Sequence, residues 1–232
     1  MKYHLFDSPD FAGVKLTFDQ AGESFRAESG AMLARDTGVE MKTGMQGGFL
    51  KAAGRSVLGG ESFFMNTFTA TGSGQSLYLA PASEGDIIAR ELSGETLFAQ
   101  AGAFVGAHPD VTVETKFQGL KGFFSGESLF FLKLSGRGLL FLSAYGGIQK
   151  IDVGDEGYVV DTGHIVAFSE GLDYRIRPFG GMKGLFFSGE GLVCEFHGRG
   201  ELWIQTRNPQ SLASFLNPFR AVQGSSSGDA GE

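Results

Sequence analysis

The chain has 232 residues, a net charge of −7 at pH 7 and one cysteine, Cys194. The acidic balance disfavours a general nucleic-acid-binding function, because phosphate binding needs a basic surface. A single cysteine excludes an intrachain disulfide, and we expect Cys194 to be a small buried side chain rather than a reactive thiol. No stretch resembles a signal peptide or reaches the ~18 apolar residues of a membrane span, so we expect a cytoplasmic protein.

Glycine and phenylalanine are the abundant residues, with 37 and 23 copies. Glycine marks turns and close backbone approaches, and phenylalanine suits half-buried sheet surfaces. The first segment, residues 1–80, accordingly alternates in short runs that predict strands at 14–18, 24–28, 31–35, 39–43, 62–70 and 77–80. Between them, the apolar spacing over 47–60 predicts a short amphipathic helix, which packs on its own sheet or faces a partner or membrane.

The next two segments, 81–145 and 146–207, repeat this sequence of elements. Strands are predicted in the second at 87–92, 96–100, 103–106, 111–117, 129–134 and 139–143, the last two as a hairpin around Gly136-Arg137-Gly138. In the third they are predicted at 148–153, 157–161, 165–168, 174–177, 192–196 and 201–206. A short helix is predicted within 208–220, with Asn208 as its N-cap and Pro209 in its first turn. The polar tail 221–232 has nothing to bury and is expected to be mobile.

One motif recurs at a fixed spacing. It reads GLKGFFSGESLFFLKLSGRG at 119–138 and GMKGLFFSGEGLVCEFHGRG at 181–200, with a looser copy at 47–64. A second marker, a glycine before a short apolar strand, occurs at Gly30, Gly102 and Gly163. The two markers in the same order predict one supersecondary unit used three times around a pseudo-threefold axis. Each marker glycine is predicted to begin an equivalent strand, through a positive φ or a close strand approach.

Several longer motifs carry a resemblance to a known family. They are GESFRAESGAML from Gly22, GGESFFMNTF from Gly59, SLYLAP from Ser76, GYVVDTGHIVAF from Gly157 and GLFFSGEGLVCEFHGRGELWIQT from Gly184. Over roughly residues 1–220 the chain resembles uncharacterised bacterial and mitochondrial proteins whose mitochondrial members are named for altered inheritance of mitochondria.

The resemblance implies a fold class. It is all-β, a triplicated β-sandwich of double-stranded β-helix type similar to the subunit of the tryptophan RNA-binding attenuation protein, with one short C-terminal helix. Mitochondrial relatives are implicated in inner-membrane organisation, and no enzymatic activity comes with the family. RNA binding is not carried over, because this chain is acidic and has no Lys-Lys-Arg-type set repeated in its three segments.

A search for reactive constellations finds none. The four histidines, His4, His108, His164 and His197, have no metal-ligand spacing, and no GxSxG nucleophile elbow is present. We therefore predict no catalytic residue, no metal site and no cofactor. His108-Pro109-Asp110 is predicted to be a turn, and His164 lining a pocket of the third segment alone is the sharper alternative for that residue.

Three carboxylates occupy the same place in the repeated motif: Glu61, Glu127 and Glu190. Near a threefold axis they would bind a cation or raise one another's pKa. The alternative is that each accepts backbone N–H groups or pairs with a nearby cation, for which Lys121, Lys183, Arg137 and Arg199 are candidates.

Apolar residues beside lysines give a candidate interface. Its members are Phe49, Leu50, Lys51, Lys121, Phe123, Phe124, Lys183, Phe186 and Phe187. On three equivalent loops they would form an apolar, basic rim that meets protein or lipid, unless the phenylalanines fold inward and fill the barrel ends. The favoured function is a non-enzymatic, homo-oligomeric scaffold or interaction protein, with a protein or membrane surface as further partner. The alternative is a small-molecule-binding β-sandwich or a cupin-like enzyme.

Overall fold

The structure is a computed structural model that describes residues 1–44, 65–116, 131–178 and 192–220. Within these ranges the chain is mostly β, in antiparallel sheets with one short α-helix. The strands of the first segment are β1 (Lys2–Phe6), β2 (Gly13–Thr17), β3 (Ser24–Glu28), β4 (Met32–Arg35), β5 (Val39–Gly44), β6 (Met65–Ala70) and β7 (Ser76–Leu79).

The second segment has fewer strands than the first because two of its strands are long. The second segment contains β8 (Ile87–Gln100), β9 (Phe104–Ala107), β10 (Val111–Lys116) and β11 (Phe131–Ser143). The third contains β12 (Ile148–Val153), β13 (Tyr158–Asp161), β14 (Ile165–Ser169), β15 (Leu172–Pro178), β16 (Leu192–Gly198) and β17 (Gly200–Gln205). Helix α1 is Pro209–Leu216, and 3-10 turns lie at Ala101–Ala103, Thr162–His164 and Asn217–Phe219.

The same four kinds of antiparallel ladder occur in each segment. In the first they are β2·β7, β3·β6, β4·β7 and β5·β6. In the second, the two halves of β8 pair with the two halves of β11, and β9 and β10 also pair with β11. In the third they are β12·β17, β13·β16, β14·β17 and β15·β16. The strand that follows each marker glycine therefore has the same kind of partner every time.

A β-bulge recurs at one position of these ladders. Leu33 is the extra residue where β4 pairs with β7, Val105 where β9 pairs with β11, and Val166 where β14 pairs with β17. Each is the third residue after its marker glycine. Because a bulge turns a strand locally, the three strands bend at corresponding points.

The marker glycines do not share one conformational role. Gly30 has a φ of +96° and fits the prediction, whereas a Cβ on Gly163 would lie 2.2 Å from the Asn208 side-chain amide rather than against a strand. Gly102 has neither a positive φ nor a heavy atom within 4 Å of the place that a Cβ would occupy. The prediction that glycine is required at Gly102 is wrong, because the 3-10 turn there accommodates any residue.

The predicted hairpin at Gly136-Arg137-Gly138 is also wrong. β11 runs through it as one strand, with a register shift between Ser135 and Arg137. Gly136 has a φ of +120°, and a Cβ there would lie 2.2 Å from the carbonyl oxygen of Asp110. The glycines therefore allow a bulge that bends one long strand, and the facing strand β8 likewise joins the two short strands predicted at 87–92 and 96–100.

Among the described residues the interior forms three apolar clusters, and each includes residues from a neighbouring segment. Phe141 joins the cluster of the first segment, Trp203 that of the second and Phe131 that of the third. Cys194 lies fully buried in the third cluster, as predicted. Burial raises the pKa of its thiol to about 12, so the sulfur stays protonated and unreactive.

Helix α1 begins as the sequence predicted. The Asn208 side-chain oxygen accepts hydrogen bonds from the backbone N–H groups of Gln210, at 2.9 Å, and Ser211, at 3.4 Å. Its apolar side chains Leu212, Phe215 and Leu216 are all exposed. In the described ranges, no helix has the length and apolar character needed to cross a membrane.

Candidate functional site

Two ladders join the second segment to its neighbours, and we call them seams. In the first seam, between β3 and β9, Arg26 lies opposite Ala107 and Ala27 opposite Gly106. In the second, between β8 and β14, Phe98 lies opposite Phe168 and Ala99 opposite Ala167. The register is the same in both seams. The residue three positions before one marker glycine lies opposite the residue four positions after the next marker glycine, and the residue four positions before lies opposite the residue five positions after.

Arg26 is buried and forms hydrogen bonds across the first seam. Its Nη2 donates to the carbonyl oxygen of Pro109 at 2.9 Å and also to those of His108 and Val111. Burial lowers the pKa of this guanidinium, with the charge of Asp110 opposing that shift. One side chain of β3 thus holds the turn that leads out of β9.

Glu201 has a comparable role between the second and third segments. Its carboxylate lies 2.9 Å from Nη2 of Arg90 on β8 and 2.5 Å from Nζ of Lys150 on β12. The Lys150 hydrogen bond, assisted by Arg90, lowers the pKa of Glu201. The Arg90 guanidinium also lies 5.6 Å from the ring centre of Trp203.

The two strands that correspond to the seam strands but lack a seam partner are β4 and β13. Each is the last strand of its sheet. Met32 and Leu33 on β4 are 39% and 60% exposed, and Tyr158 and Val159 on β13 are 43% and 47% exposed. The residues that correspond to Met32, Leu33 and Tyr158 in the seams are almost fully buried: Phe104, Val105, Ile165, Val166, Phe25 and Leu97.

Other sheet edges in the described ranges are more polar. β5, for example, places Glu40 and Lys42 on either side of the exposed Met41. Charged residues on an edge strand oppose pairing with another chain. Within the described ranges, β4 and β13 instead present adjacent apolar side chains on edges that no further strand pairs with, so they are the candidate interaction edges.

A surface depression beside α1 is the second candidate site. It has a volume of about 420 Å³ and is lined by Tyr145, His164, Thr206, Arg207, Asn208, Ser211, Leu212 and Phe215. His164 is fixed by a 2.7 Å contact from its Nδ1 to the carbonyl oxygen of Gln205. The Gln205 amide accepts from the backbone N–H of Tyr145 at 2.9 Å and donates to the carbonyl of Gly163 at 3.0 Å. Phenol, imidazole and guanidinium therefore lie along one small concavity.

Charged groups elsewhere in the described ranges form surface pairs. Arg199 pairs with Asp155, with Nε 2.8 Å from Oδ1, and Arg177 pairs with Glu195 at 2.8 Å. His108 accepts a hydrogen bond from the backbone N–H of Asp110 at 3.2 Å, which confirms the predicted turn. No three His, Cys, Asp or Glu side chains converge on a metal-sized site in this part of the chain.

The residues of the predicted interface and the three repeated carboxylates lie outside the described residues. They are Phe49, Leu50, Lys51, Glu61, Lys121, Phe123, Phe124, Glu127, Lys183, Phe186, Phe187 and Glu190. The described strands that border them correspond in all three segments. Gly44 lies opposite Met65, Lys116 opposite Phe131 and Pro178 opposite Leu192, each at the end of an antiparallel ladder. The edges β4 and β13 were not predicted as a site.

The architecture defines a mostly β protein built from recurring antiparallel ladders. A family model described as mitochondrial biogenesis AIM24 matches residues 3–207, and the chain belongs to this family. An uncharacterised protein of Streptococcus pyogenes serotype M6, M6_Spy0233, is 30% identical over 227 residues, which are 94% of this chain and 91% of that protein. The crystal structure of protein SPYM3_0169 from Streptococcus pyogenes is similar, with a TM-score of 0.79, 29% identity, and coverage of 94% of this chain and 99% of that one.

Proposed function

We propose that this protein is a non-enzymatic scaffold that assembles with itself and presents surfaces to other partners. The observation that carries the proposal is the pair of exposed, apolar, unpaired edges β4 and β13. Such edges are templates for pairing with another chain, and proteins that remain monomeric ordinarily block them.

The proposed architecture is a triplicated β-sandwich of double-stranded β-helix type, similar to the attenuation-protein subunit. Its units are 1–80, 81–145 and 146–207, repeated with pseudo-threefold symmetry that the two seams leave open between β13 and β4. The four recurring ladders and the bulges at Leu33, Val105 and Val166 support this assignment. A chain of linked units with a free edge at each end suits a structural role better than a chemical one.

The interior also supports a scaffold. Seven phenylalanines are fully buried in the described ranges, where they fill the space that a ligand-binding barrel would leave open: Phe18, Phe25, Phe68, Phe104, Phe141, Phe168 and Phe196. The proposal places the protein in the cytoplasm, where a lone buried thiol such as Cys194 stays reduced.

Light scattering coupled to size exclusion tests the proposal on the full chain. We expect a mass greater than that of one chain at micromolar concentration, which decreases on dilution. A monomer throughout the micromolar range contradicts a self-assembling scaffold.

A membrane surface is a further proposed partner, through the lysine- and phenylalanine-containing stretches at 49–51, 121–124 and 183–187. Flotation with anionic vesicles tests it, with Phe123→Ser and Phe186→Ser as variants. Co-flotation that the substitutions reduce supports a lipid partner. No co-flotation, or co-flotation unchanged by both substitutions, contradicts it.

Small-molecule binding in the depression beside α1 is the second candidate, favoured by the convergence of Tyr145, His164 and Arg207. Its volume lies in the range of about 300–1,000 Å³ that is usual for ligand sites. Thermal-shift measurements with inorganic phosphate and citrate test it. Stabilisation that Arg207→Ala abolishes and the exposed control Arg175→Ala preserves supports a site. The absence of any shift with both probes counts against anion binding there.

A further inference from the structure

We infer that β4 of one molecule pairs with β13 of a second copy, as a third seam with the register of the two inside each chain. This inference rests on the proposed self-assembly and specifies its contact. The seams use only two kinds of strand, those before and those after a marker glycine. Of the three strands of each kind, two are paired in the seams, and the remaining ones are β13 and β4.

The identical register of the two seams determines the register of the third. Residues three and four before a marker glycine face those four and five after the next one. Counted from Gly163 and Gly30, Val160 then faces Ala34 and Val159 faces Arg35. The second seam continues with Leu97 opposite Ser169, which places Tyr158 opposite Asp36.

Burial at corresponding positions supports this contact. Val105 and Val166 correspond to Leu33 and are 1% and 0% exposed, because the seam strands and their neighbours cover them. Pairing of β4 with β13 would cover Leu33, Met32, Tyr158 and Val159 in the same manner. It would also satisfy the backbone N–H and C=O groups that each edge leaves without a strand partner.

A second copy is the occupant that these observations favour. Within one chain β4 and β13 are not paired with each other; they end separate sheets. Every copy carries one edge of each kind, so a second copy brings the complementary strand with the correct register. The contact is therefore head-to-tail rather than between identical surfaces.

Disulfide trapping between two single-cysteine variants tests the pairing. Arg35→Cys and Val159→Cys place thiols on directly opposed residues, whose Cα separation in an antiparallel ladder, about 4.5–5.5 Å, suits a disulfide. Cys194 stays in place because its thiol is fully buried. The unmodified protein is the blank, and each variant is first shown to melt like it.

We expect a mixture of the two variants to give a covalent dimer under mild oxidation, at least about tenfold more than either variant alone. Mixing Met41→Cys with Val159→Cys is the matched control, because Met41 is 43% exposed and lies on an edge strand outside the proposed seam. That mixture should give only background dimer. A chain carrying both Arg35→Cys and Val159→Cys should form a series of covalent oligomers of increasing size.

Four results would overturn the inference. The doubly substituted chain could close on itself as a disulfide-bonded monomer, which would show that β4 and β13 meet within one molecule. Equal dimer yield in every mixture would show nonspecific collision. No trapping while light scattering still reports an oligomer would place the self-contact elsewhere and leave the proposed scaffold standing, whereas a monomer in light scattering removes both.

Discussion

At the scale of single residues, the buried Arg26 is the feature that the sequence conceals. In the alternating strand Ser24–Glu28 a charged residue ordinarily points to solvent, yet its guanidinium lies inside and donates to three carbonyl groups of the 108–111 turn. Those acceptors come from a turn more than 80 positions away in the chain, so local periodicity cannot reveal them. The orientation of the Arg26 side chain is therefore determined by acceptors that are distant in the sequence.

Arg26→Ala should lower the free energy of unfolding by about 1–3 kcal/mol, because it removes the guanidinium donor from the carbonyl oxygens of Pro109 and of the buried Val111. Urea denaturation of the two proteins measures the difference. Arg175→Ala, at an exposed position of β15, is the control and should change stability by less than about 0.5 kcal/mol. An equal, small effect of both substitutions would mean that water replaces the Arg26 hydrogen bonds.

Glu201 gives a prediction about pH. Its pKa in the folded state is lowered from 4.5, chiefly by the Lys150 hydrogen bond, so the unfolded chain takes up a proton first on acidification. The stabilisation is complete above the unfolded value and is lost as pH falls through the lowered folded value. Wild type should exceed Glu201→Gln by about 0.5–1 kcal/mol near neutral pH, the size of a partly exposed ion pair, and by less at an acidic pH below 4.5.

Urea midpoints at both pH values measure this difference. Glu40→Gln, on the exposed edge strand β5, serves as the control and should show no comparable change with pH. A Glu201→Gln deficit that stays constant from neutral to acidic pH would indicate lost packing rather than lost charge.

At the scale of secondary-structure elements, strand positions follow from the sequence better than strand connections do. Alternation located β3 to the residue and β5, β12 and β14 within one residue at either end. Whether Gly136 and Gly138 turn the chain back or only bend it depends on the turn before β10, where the carbonyl of Asp110 lies against Gly136. β1 was missed because its residues are largely exposed and lack a clear alternation.

The aromatic cluster of the third segment supplies a test at this scale. Phe168 on β14 is fully buried, and its ring centre lies 5.1–5.2 Å from those of Phe98, Phe131, Tyr174 and Phe196. Phe168→Ala should cost about 3–5 kcal/mol of stability, because the cavity has aromatic walls on several strands that cannot all move in. Phe215→Ala on the exposed face of α1 should cost less than about 0.5 kcal/mol.

Chemical denaturation of the Phe168→Ala and Phe215→Ala variants measures the loss of stability caused by each substitution. A small loss for Phe168→Ala would show that the neighbouring rings collapse into the space. A large loss for Phe215→Ala would show that α1 is covered by another surface in solution.

At the scale of the whole molecule, the recurrence of the motif and of the marker glycines is visible in the sequence, but the candidate edges could not be predicted from it. Leu33, Val105 and Val166 are all aliphatic and follow their glycines at the same distance, so nothing local distinguishes the exposed residue from the buried ones. The difference arises because β9 and β14 each pair with a strand of another segment, whereas β4 does not do so in the part of the chain that the structure describes. Pairing of the strand with another segment, rather than residue type, determines whether the side chain at this position is exposed.

Leu33→Lys should weaken self-association at least about tenfold, because pairing would bury an ammonium group without a partner. Sedimentation or light scattering over a dilution series measures the association constant. Met41→Lys adds the same charge at the edge of β5 and should leave association unchanged. Loss of association with both variants would point to net charge rather than to the seam.

The difference between the two free edges has a consequence for mixed populations. A Val159→Lys molecule has a blocked β13 but an intact β4, so it can still join the β13 end of a growing array and then offers no site for the next copy. In the proposed head-to-tail array such a molecule would be a chain terminator, and a small mole fraction of it would limit the average array length. An interface between identical surfaces would not behave in this way, because there a blocked copy fails to join at all. Assembly size would thus report the ratio of blocked to normal chains, and a minority of altered copies would dominate the phenotype of the majority.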